Sequence, residues 1–217
     1  GTLLSVFACT FMGYLFSKEE LPARKFLYRA LVVTMYVSGG LIPTYLTISA
    51  YKLVNTFWVY ILPGVVSAYN VILVKTFVEQ LPASLEESAV LDGAGAFTVY
   101  RYIILPLSKP IVATIATFTA VGQWNSYMDN YLYVSDTSLN TLQYLLYKFL
   151  NSTQELTKML QQGDTSAIHQ MGAASQLLTP MGVRMTITVI TVIPIFLVYP
   201  FMQKYFSKGI MLGAVKG

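Results

Sequence analysis

Charge is what this chain has least of. Asp, Glu, Lys and Arg make up 11% of its 217 residues, against about 25% in soluble domains. A surface that poor in charge cannot face water all round, so a soluble globular protein is excluded. The single cysteine, Cys9, lies in an apolar run and excludes internal disulfides. The single histidine, His169, has no second ligand at metal spacing, which excludes a histidine metal site. Of the carboxylates, Glu19, Glu20, Glu79, Glu86, Glu87 and Asp92 lie towards one side of the apolar runs. Asp129, Asp136, Glu155 and Asp164 lie towards the other. None falls mid-run, so the usual mark of a proton or sodium relay is missing. Gly93-Ala94-Gly95 imitates the start of a dinucleotide loop, but it follows a helix and lacks both the third glycine and a following Lys-Ser/Thr. The chain carries no constellation for hydrolysing a nucleotide and is not read as an enzyme. A net charge of +4, concentrated on one side as shown below, gives no basis for nucleic-acid binding.

What is present is apolar length. Residues are 55% hydrophobic and the mean hydropathy is +0.57, which predicts an all-α polytopic membrane protein. The first run, Thr2 to Ser17, is short of the ~20 residues a spanning helix needs. It has no basic region or small-residue cleavage site and is not read as a signal peptide. A charged loop, Lys18 to Arg29, leads to a second span at Leu31 to Ala50, in which Gly39-Gly40 and Pro43 break the regularity. After a turn at Tyr51 to Asn55, a third span is predicted at Thr56 to Val78, kinked at Pro63-Gly64, with Lys75 near its end. Pro110 is predicted to open the fourth, which runs through Ile111 to Val121 into the aromatic Trp124–Tyr133 region. The stretch from Asp136 to Gly182 is polar, with an amphipathic piece around Leu142 to Leu150. Met185 to Met202 makes the fifth span, interrupted by Pro194 and Pro200, and a basic, glycine-spaced tail runs from Lys204 to Gly217.

The stretch from Leu81 to Pro110 is the longest polar interruption before residue 125. Ser84 and Glu87 have the spacing of a capping box, in which each side chain accepts from the other's backbone amide. Leu85 and Ala89 share a face, and Gly93 supplies a left-handed exit. A second helical run, Phe97 to Leu105, is predicted to stop at Pro106. This is an elbow of two short helices outside the membrane.

With the elbow placed in the cytoplasm, Lys18, Arg24, Lys25, Arg29, Lys75, Arg101, Lys109, Lys204, Lys208 and Lys216 lie inside or at the inner interface. Lys52, Lys148, Lys158 and Arg184 lie outside. The 14 basic residues thus divide ten to four, as the excess of positive charge on the cytoplasmic side requires. Five spans with an outside start and an inside end alternate correctly.

The spans hold polar and aromatic residues where lipid-facing helices would carry leucine. Tyr69 and Asn70 are expected midway along the third. Gln123, Trp124 and Asn125, followed by Tyr127, Asn130 and Tyr131, are expected on the outer half of the fourth. Buried amides need partners, so these should face other helices or a wet cavity. Two readings stand for them: a substrate pathway, since aromatic faces with a polar handle suit sugars, or interhelical hydrogen bonds with an interfacial aromatic belt.

The elbow carries a resemblance. Glu87-Ser88-Ala89, three residues, Gly93, nine residues, then Ile103-Ile104-Leu105-Pro106 resembles the Glu-Ala-Ala loop of ATP-binding-cassette (ABC) importer permeases, with Ser88 in place of the middle alanine. FTAVGQWNSYMDNYLYV resembles the Trp-Asn segment of the carbohydrate-uptake branch, relatives of the maltose permease pair. SGGLIPTYL, NTFWVYILPGVVSAYNVILVKTF, TLQYLLYKFL and VYPFMQKYFSKGIMLGAVKG resemble a subgroup importing complex oligosaccharides and polysaccharide fragments in Gram-positive bacteria.

The resemblance implies a single transmembrane domain over residues 1–217 with the type I (MetI-like) permease fold. An upstream segment would hold one further helix, a cytoplasmic coupling loop would lie at 81–110, and an extracellular loop at 136–182. It implies that Glu87, Ser88, Ala89, Gly93, Ile103, Leu105 and Pro106 meet the ATPases, which the C-terminal tail also reaches. Tyr69, Asn70, Gln123, Trp124 and Asn125 would border the substrate. The implied partners are a second, homologous permease, two ABC ATPase subunits holding ATP and magnesium, an extracellular solute-binding lipoprotein, an oligosaccharide and membrane lipid. No cofactor belongs to this chain, and its place is the multi-pass plasma membrane of a Gram-positive bacterium. A permease for phosphate, an amino acid or a peptide would share the elbow but not the Trp-Asn segment and the tail. A secondary transporter would need mid-membrane charges or an inverted repeat, and a membrane enzyme or scaffold would need a catalytic constellation or docking domain.

Overall fold

A computed structural model describes residues 1–161 and 180–213 of the chain. Among them every regular element is helical. The main helices are α1 (Thr2–Ser17), α2 (Arg24–Tyr36), α3 (Leu41–Ala50), α4 (Ala68–Val78), α5 (Ser84–Leu91), α6 (Ala96–Leu107), α7 (Lys109–Trp124), α8 (Met128–Tyr133), α9 (Leu142–Gln161) and α10 (Pro180–Gly213). His169 lies outside the described residues, as do the middle of the expected outer loop and the last four residues of the tail.

The chain divides into two compact units, Gly1–Gln123 with Pro200–Gly217, and Trp124–Tyr199. In the first, α1 packs along α4 over a buried core of Cys9, Tyr14, Phe16, Val71, Val74, Val78, Val99, Tyr100, Ile104 and Ile115. Gly13 makes that approach close. An ideal Cβ there would lie 2.5 Å from Val74 Cβ and 3.0 Å from the Val71 carbonyl oxygen. Small residues are the usual means of bringing membrane helices to this distance. Cys9, fully buried, accepts from the Ser67 amide at 3.5 Å, fastening α1 to the start of α4.

In the second unit Asn130, fully buried, joins two segments. Its Nδ2 donates to Asn140 Oδ1 at 3.1 Å and its Oδ1 accepts from the Thr141 amide at 2.6 Å. Asp136 caps the short 3-10 turn Thr137–Leu139 by accepting from the Ser138 amide at 2.9 Å. Hydrogen bonds from the Ser138 backbone amide and, secondarily, its side chain hold the Asp136 carboxyl below the usual carboxylate range.

The expected spans are redrawn. The supposed loop Lys18 to Arg29 is already helical from Arg24, and the second span is two helices, α2 and α3, meeting at 119°. Gly40 adopts φ +81° at the break, which a β-carbon would oppose. The third span contracts to the 11 residues of α4, with Pro63-Gly64 in a run of turns rather than a kink. The fourth begins at Lys109, one residue before Pro110, and breaks after Trp124 before α8. The amphipathic piece extends to Gln161. Pro194 and Pro200 do not interrupt α10, which runs unbroken through the first ten residues of the expected tail. Membrane helices tolerate proline where the freed carbonyl is satisfied otherwise.

By length and composition one helix among the described residues can cross a bilayer. This is Met181–Pro200, with mean hydropathy 2.0 and no part of it buried within the chain. The count rises to three if each bent pair, α2 with α3 and α6 with α7, is one span, while α1 and α4 are shorter apolar helices.

Candidate functional site: the elbow between α4 and α7

Local chemistry builds the elbow helix by helix. In α5 the expected capping box is not formed. Ala83 is the N-cap, Ser84 is already inside the helix, and no side chain caps the N-terminus. The helix starts a residue earlier because Ala83 adopts helical angles and its carbonyl accepts from Glu87 N at 3.0 Å. Glu86 and Glu87 still place negative charge in the first turn, where the helix dipole favours it. Ser88 spends its hydroxyl on the Ser84 carbonyl at 2.8 Å. The exit is a Schellman motif. Gly93 has φ +84°, its amide donates to the Val90 carbonyl at 2.9 Å, and the Ala94 amide donates to Ala89 at 2.9 Å.

Pro106 does not stop α6. The helix passes through it to Leu107 because the turn before it, Tyr100–Ile104, widens to a π-helix, with the Leu105 amide donating to the Tyr100 carbonyl. In an α-helix Pro106 would lack its donor to the Tyr102 carbonyl and press its ring against that oxygen, and the wider turn relieves both. The break falls instead at Ser108, between α6 and α7, which meet at 84°.

The elbow residues singled out from sequence divide by exposure. Glu87, Ser88, Gly93 and Pro106 are exposed, and Ala89, Ile103 and Leu105 are half-buried, packed against the first unit's core. No residue of α5 is fully buried, so its outer face is available along its whole length.

Sequence reasoning missed how the elbow is attached. Tyr14 Oη donates to Glu86 Oε1 at 3.0 Å, and Lys18 Nζ pairs with Glu86 Oε2. Lys18 also sits 4.7 Å from the centre of the Tyr14 ring. Its ammonium is held below the usual lysine value by burial, with Glu20 pulling it back up. Beside it, Arg24 Nη2 reaches Glu79 Oε1 at 2.5 Å, Lys75 donates to Glu79 Oε2 at 2.8 Å, and Arg24 Nε takes the Phe16 carbonyl at 2.8 Å. The placing of Thr10 and Tyr14 four apart, with Lys18 just past the helix end, was a usable signal, but only once α1 was known to run beside the elbow.

The expected pathway residues are less unified. Tyr69 and Asn70 lie in the first turn of α4, not mid-span, with Tyr69 exposed and Asn70 buried. The Asn70 backbone N–H donates to the N-cap Ser67 Oγ at 3.4 Å. Gln123 Oε1 accepts from Thr2 Oγ1 at 3.5 Å. In the second unit Trp124 donates its indole N–H to the Thr191 carbonyl at 3.0 Å, leaving only its ring face for a ligand, while Asn125 is exposed. Tyr127 stacks on Tyr147 at 4.7 Å and Tyr131 lies 6.5 Å from Tyr144. Among the described residues no group of acidic, histidine or cysteine side chains could hold a metal.

The family model described as "Binding-protein-dependent transport system inner membrane component" matches residues 6–212. The chain belongs to that family. It is a membrane-embedded permease component of a transport system, as the elbow pattern led us to expect. The polygalacturonan/rhamnogalacturonan transport system permease protein YtcP of Bacillus subtilis is 40% identical over the whole chain and 73% of its own length. Protein LplC of the same organism is 38% identical over the whole chain and 70% of its own. Among solved structures, a bacterial ABC transporter involved in the import of the acidic polysaccharide alginate superposes with a TM-score of 0.75 at 25% identity. That match covers 94% of this permease and 69% of the other chain. The helical permease fold is therefore shared with that transporter.

Proposed function

We propose that this permease moves oligosaccharides, the fragments of complex acidic polysaccharides, into a Gram-positive cell. The reading is carried by the 40% identity over the entire chain to a permease for polygalacturonan and rhamnogalacturonan. The inventory of side chains supports an oligosaccharide: it suits neutral hydroxyl-rich units best, and the acidic groups are held by the binding protein or the second permease. No carboxylate or base sits mid-membrane to drive ion coupling, while amides and aromatic rings cluster around Gln123, Trp124 and Asn125. Tyr69 and Asn70 complete the proposed pathway border, and specificity resides largely in the binding protein that delivers the sugar.

The machine comprises this chain, a second homologous permease, two ATPase subunits holding ATP and magnesium, and an extracellular solute-binding lipoprotein. It works by alternating access, with five spans in this chain, the elbow of residues 81–110 in the cytoplasm and residues 136–182 outside. The exposed face of α5 around Glu87 and Ser88 docks on an ATPase, with Ala89, Gly93, Ile103, Leu105 and Pro106 setting the shape of the elbow. ATP-driven closure of the ATPases then pulls the elbows together. Gly93 holds the end of the lever, since a capped eight-residue helix transmits force where a loop would flex.

Reconstitution of the complete complex in proteoliposomes tests this. Oligogalacturonides should be taken up with ATP hydrolysis and outcompete neutral disaccharides. Uptake of phosphate or an amino acid, with no response to any oligosaccharide, would overturn it.

A further inference from the structure

Thr10 and Tyr14, four apart on one stripe of α1, and Lys18, the extended residue that follows the helix, reach both arms of the elbow. At the deep end Thr10 Oγ1 and Tyr100 Oη are 2.8 Å apart, and both side chains are buried. Thr10 has one hydroxyl proton, and its Oγ1 lies 2.7 Å from the Val6 carbonyl oxygen and 3.1 Å from that of Phe7, both in its own helix. The Tyr100 hydroxyl is therefore the donor in this pair. Tyr100 opens the π-turn of α6. At the shallow end Tyr14 and Lys18 divide the two oxygens of Glu86 on α5 between them. The two ends are joined through rings, with Tyr14 lying 5.6 Å from Tyr100.

Glu86 is distinctive within α5. Among the described residues, every side-chain hydrogen bond or ion pair from α5 to another element is made by Glu86. Glu87, its neighbour, is exposed, whereas Glu86 is half-buried and turned towards α1. Adjacent carboxylates on a helix point about 100° apart, so one faces outward while the other grips the permease. The carboxylate of Glu86 takes one neutral and one charged donor, the stronger class of hydrogen bond. Losing its charge leaves the half-buried Lys18 ammonium without this partner.

We propose that Glu86 is a positioning residue for coupling. It ties the elbow helix to Tyr14 of α1 and to Lys18 at the end of that helix, so that displacement of α5 is delivered to α1 and, through the close α1–α4 packing at Gly13, to the membrane helices. This rests on the reading of the elbow as the ATPase-docking element.

The experiment uses the full complex in proteoliposomes and measures sugar imported per ATP hydrolysed, with subunit assembly followed by co-purification. Glu86→Gln preserves size and one hydrogen bond while removing the charge. It should assemble normally and lower the import-to-hydrolysis ratio at least threefold, and Tyr14→Phe should lower it less. The charge exchange Lys18→Glu with Glu86→Lys should recover more than half of the loss, whereas either change alone should not. Gly93→Asp serves as the reference for the elbow itself. If Gly93→Asp uncouples and Glu86→Gln does not, Glu86 has no transmitting role and the proposal falls. If Gly93→Asp also remains coupled, the docking role of the elbow falls first and this tie with it. A complex that fails to assemble with Glu86→Gln would assign the residue to folding and equally overturn the proposal.

Discussion

Gly13→Ala is the sharpest test of how the first unit is held together. A methyl added at Gly13 would meet Val74 Cβ at 2.5 Å, Val74 Cγ1 at 2.6 Å and the Val71 carbonyl oxygen at 3.0 Å. Carbon atoms in contact rest at about 3.5–4.0 Å, so α1 and α4 must separate by about 1 Å at this level. Rotating Val74 offers no escape, because its Cβ is fixed by the backbone and the third obstacle is backbone too. The neighbours that would loosen, Cys9 and Val71, are fully buried. Overpacking of this kind costs about 1–3 kcal/mol. At about 2–4 °C per kcal/mol for a chain of this size, the purified complex in mild detergent should lose several degrees in midpoint temperature by a thermal-shift assay. Val74→Ala should not restore it, since it removes Cγ1 and keeps the nearer Cβ. Val74→Gly should restore part, limited by the oxygen contact and by the roughly 1 kcal/mol that glycine costs a helix. A Gly13→Ala complex with unchanged midpoint, or full rescue by Val74→Ala, would refute the close α1–α4 approach.

Two further outcomes are expected. Single cysteines at Ser84 and Ser152, in a Cys9→Ser background, should label from opposite sides with an impermeant thiol reagent, and external labelling at position 84 would reverse the assignment of sides. Trp124→Phe keeps a flat ring but removes the 3.0 Å hydrogen bond to Thr191, so it should cost about 1 kcal/mol in stability and leave uptake largely intact. Trp124→Ala should slow uptake without changing which sugars compete for the binding protein, and equal impairment by the two variants, measured in one uptake assay, would assign Trp124 to packing rather than to substrate.

What could be read from the sequence was whatever is fixed within a few residues. Gly93 is the clearest case, because a helix followed by glycine in the Schellman position needs no partner to define it, and φ +84° with two closing hydrogen bonds is what forms. Ser84 shows the limit of the same logic. Its spacing to Glu87 suits a capping box, yet Ala83 takes helical angles and moves the cap out of register by one residue. Pro106 fails similarly, since a proline ends a helix only if the preceding turn stays an α-turn, and Tyr100–Ile104 widens instead. Apolar length misled at Thr56 to Val78, where hydropathy continues through Pro63-Gly64 while the helix does not begin until Ala68. Hydropathy measures a solvent preference and carries no information on where backbone hydrogen bonds close. Gly13 and Glu86 were invisible for a different reason. Neither has a local signature: one is a glycine inside a helix that tolerates alanine on its own, the other an acid in a charged turn. Their meaning comes entirely from α1 lying against α4 and the elbow, a contact between segments about 60 to 70 positions apart. The elbow's outline is therefore local chemistry, while its attachment to the membrane helices is tertiary. If the elbow couples as proposed, a substitution that spares every residue of the Glu-Ala-Ala pattern should still disconnect it from the membrane helices.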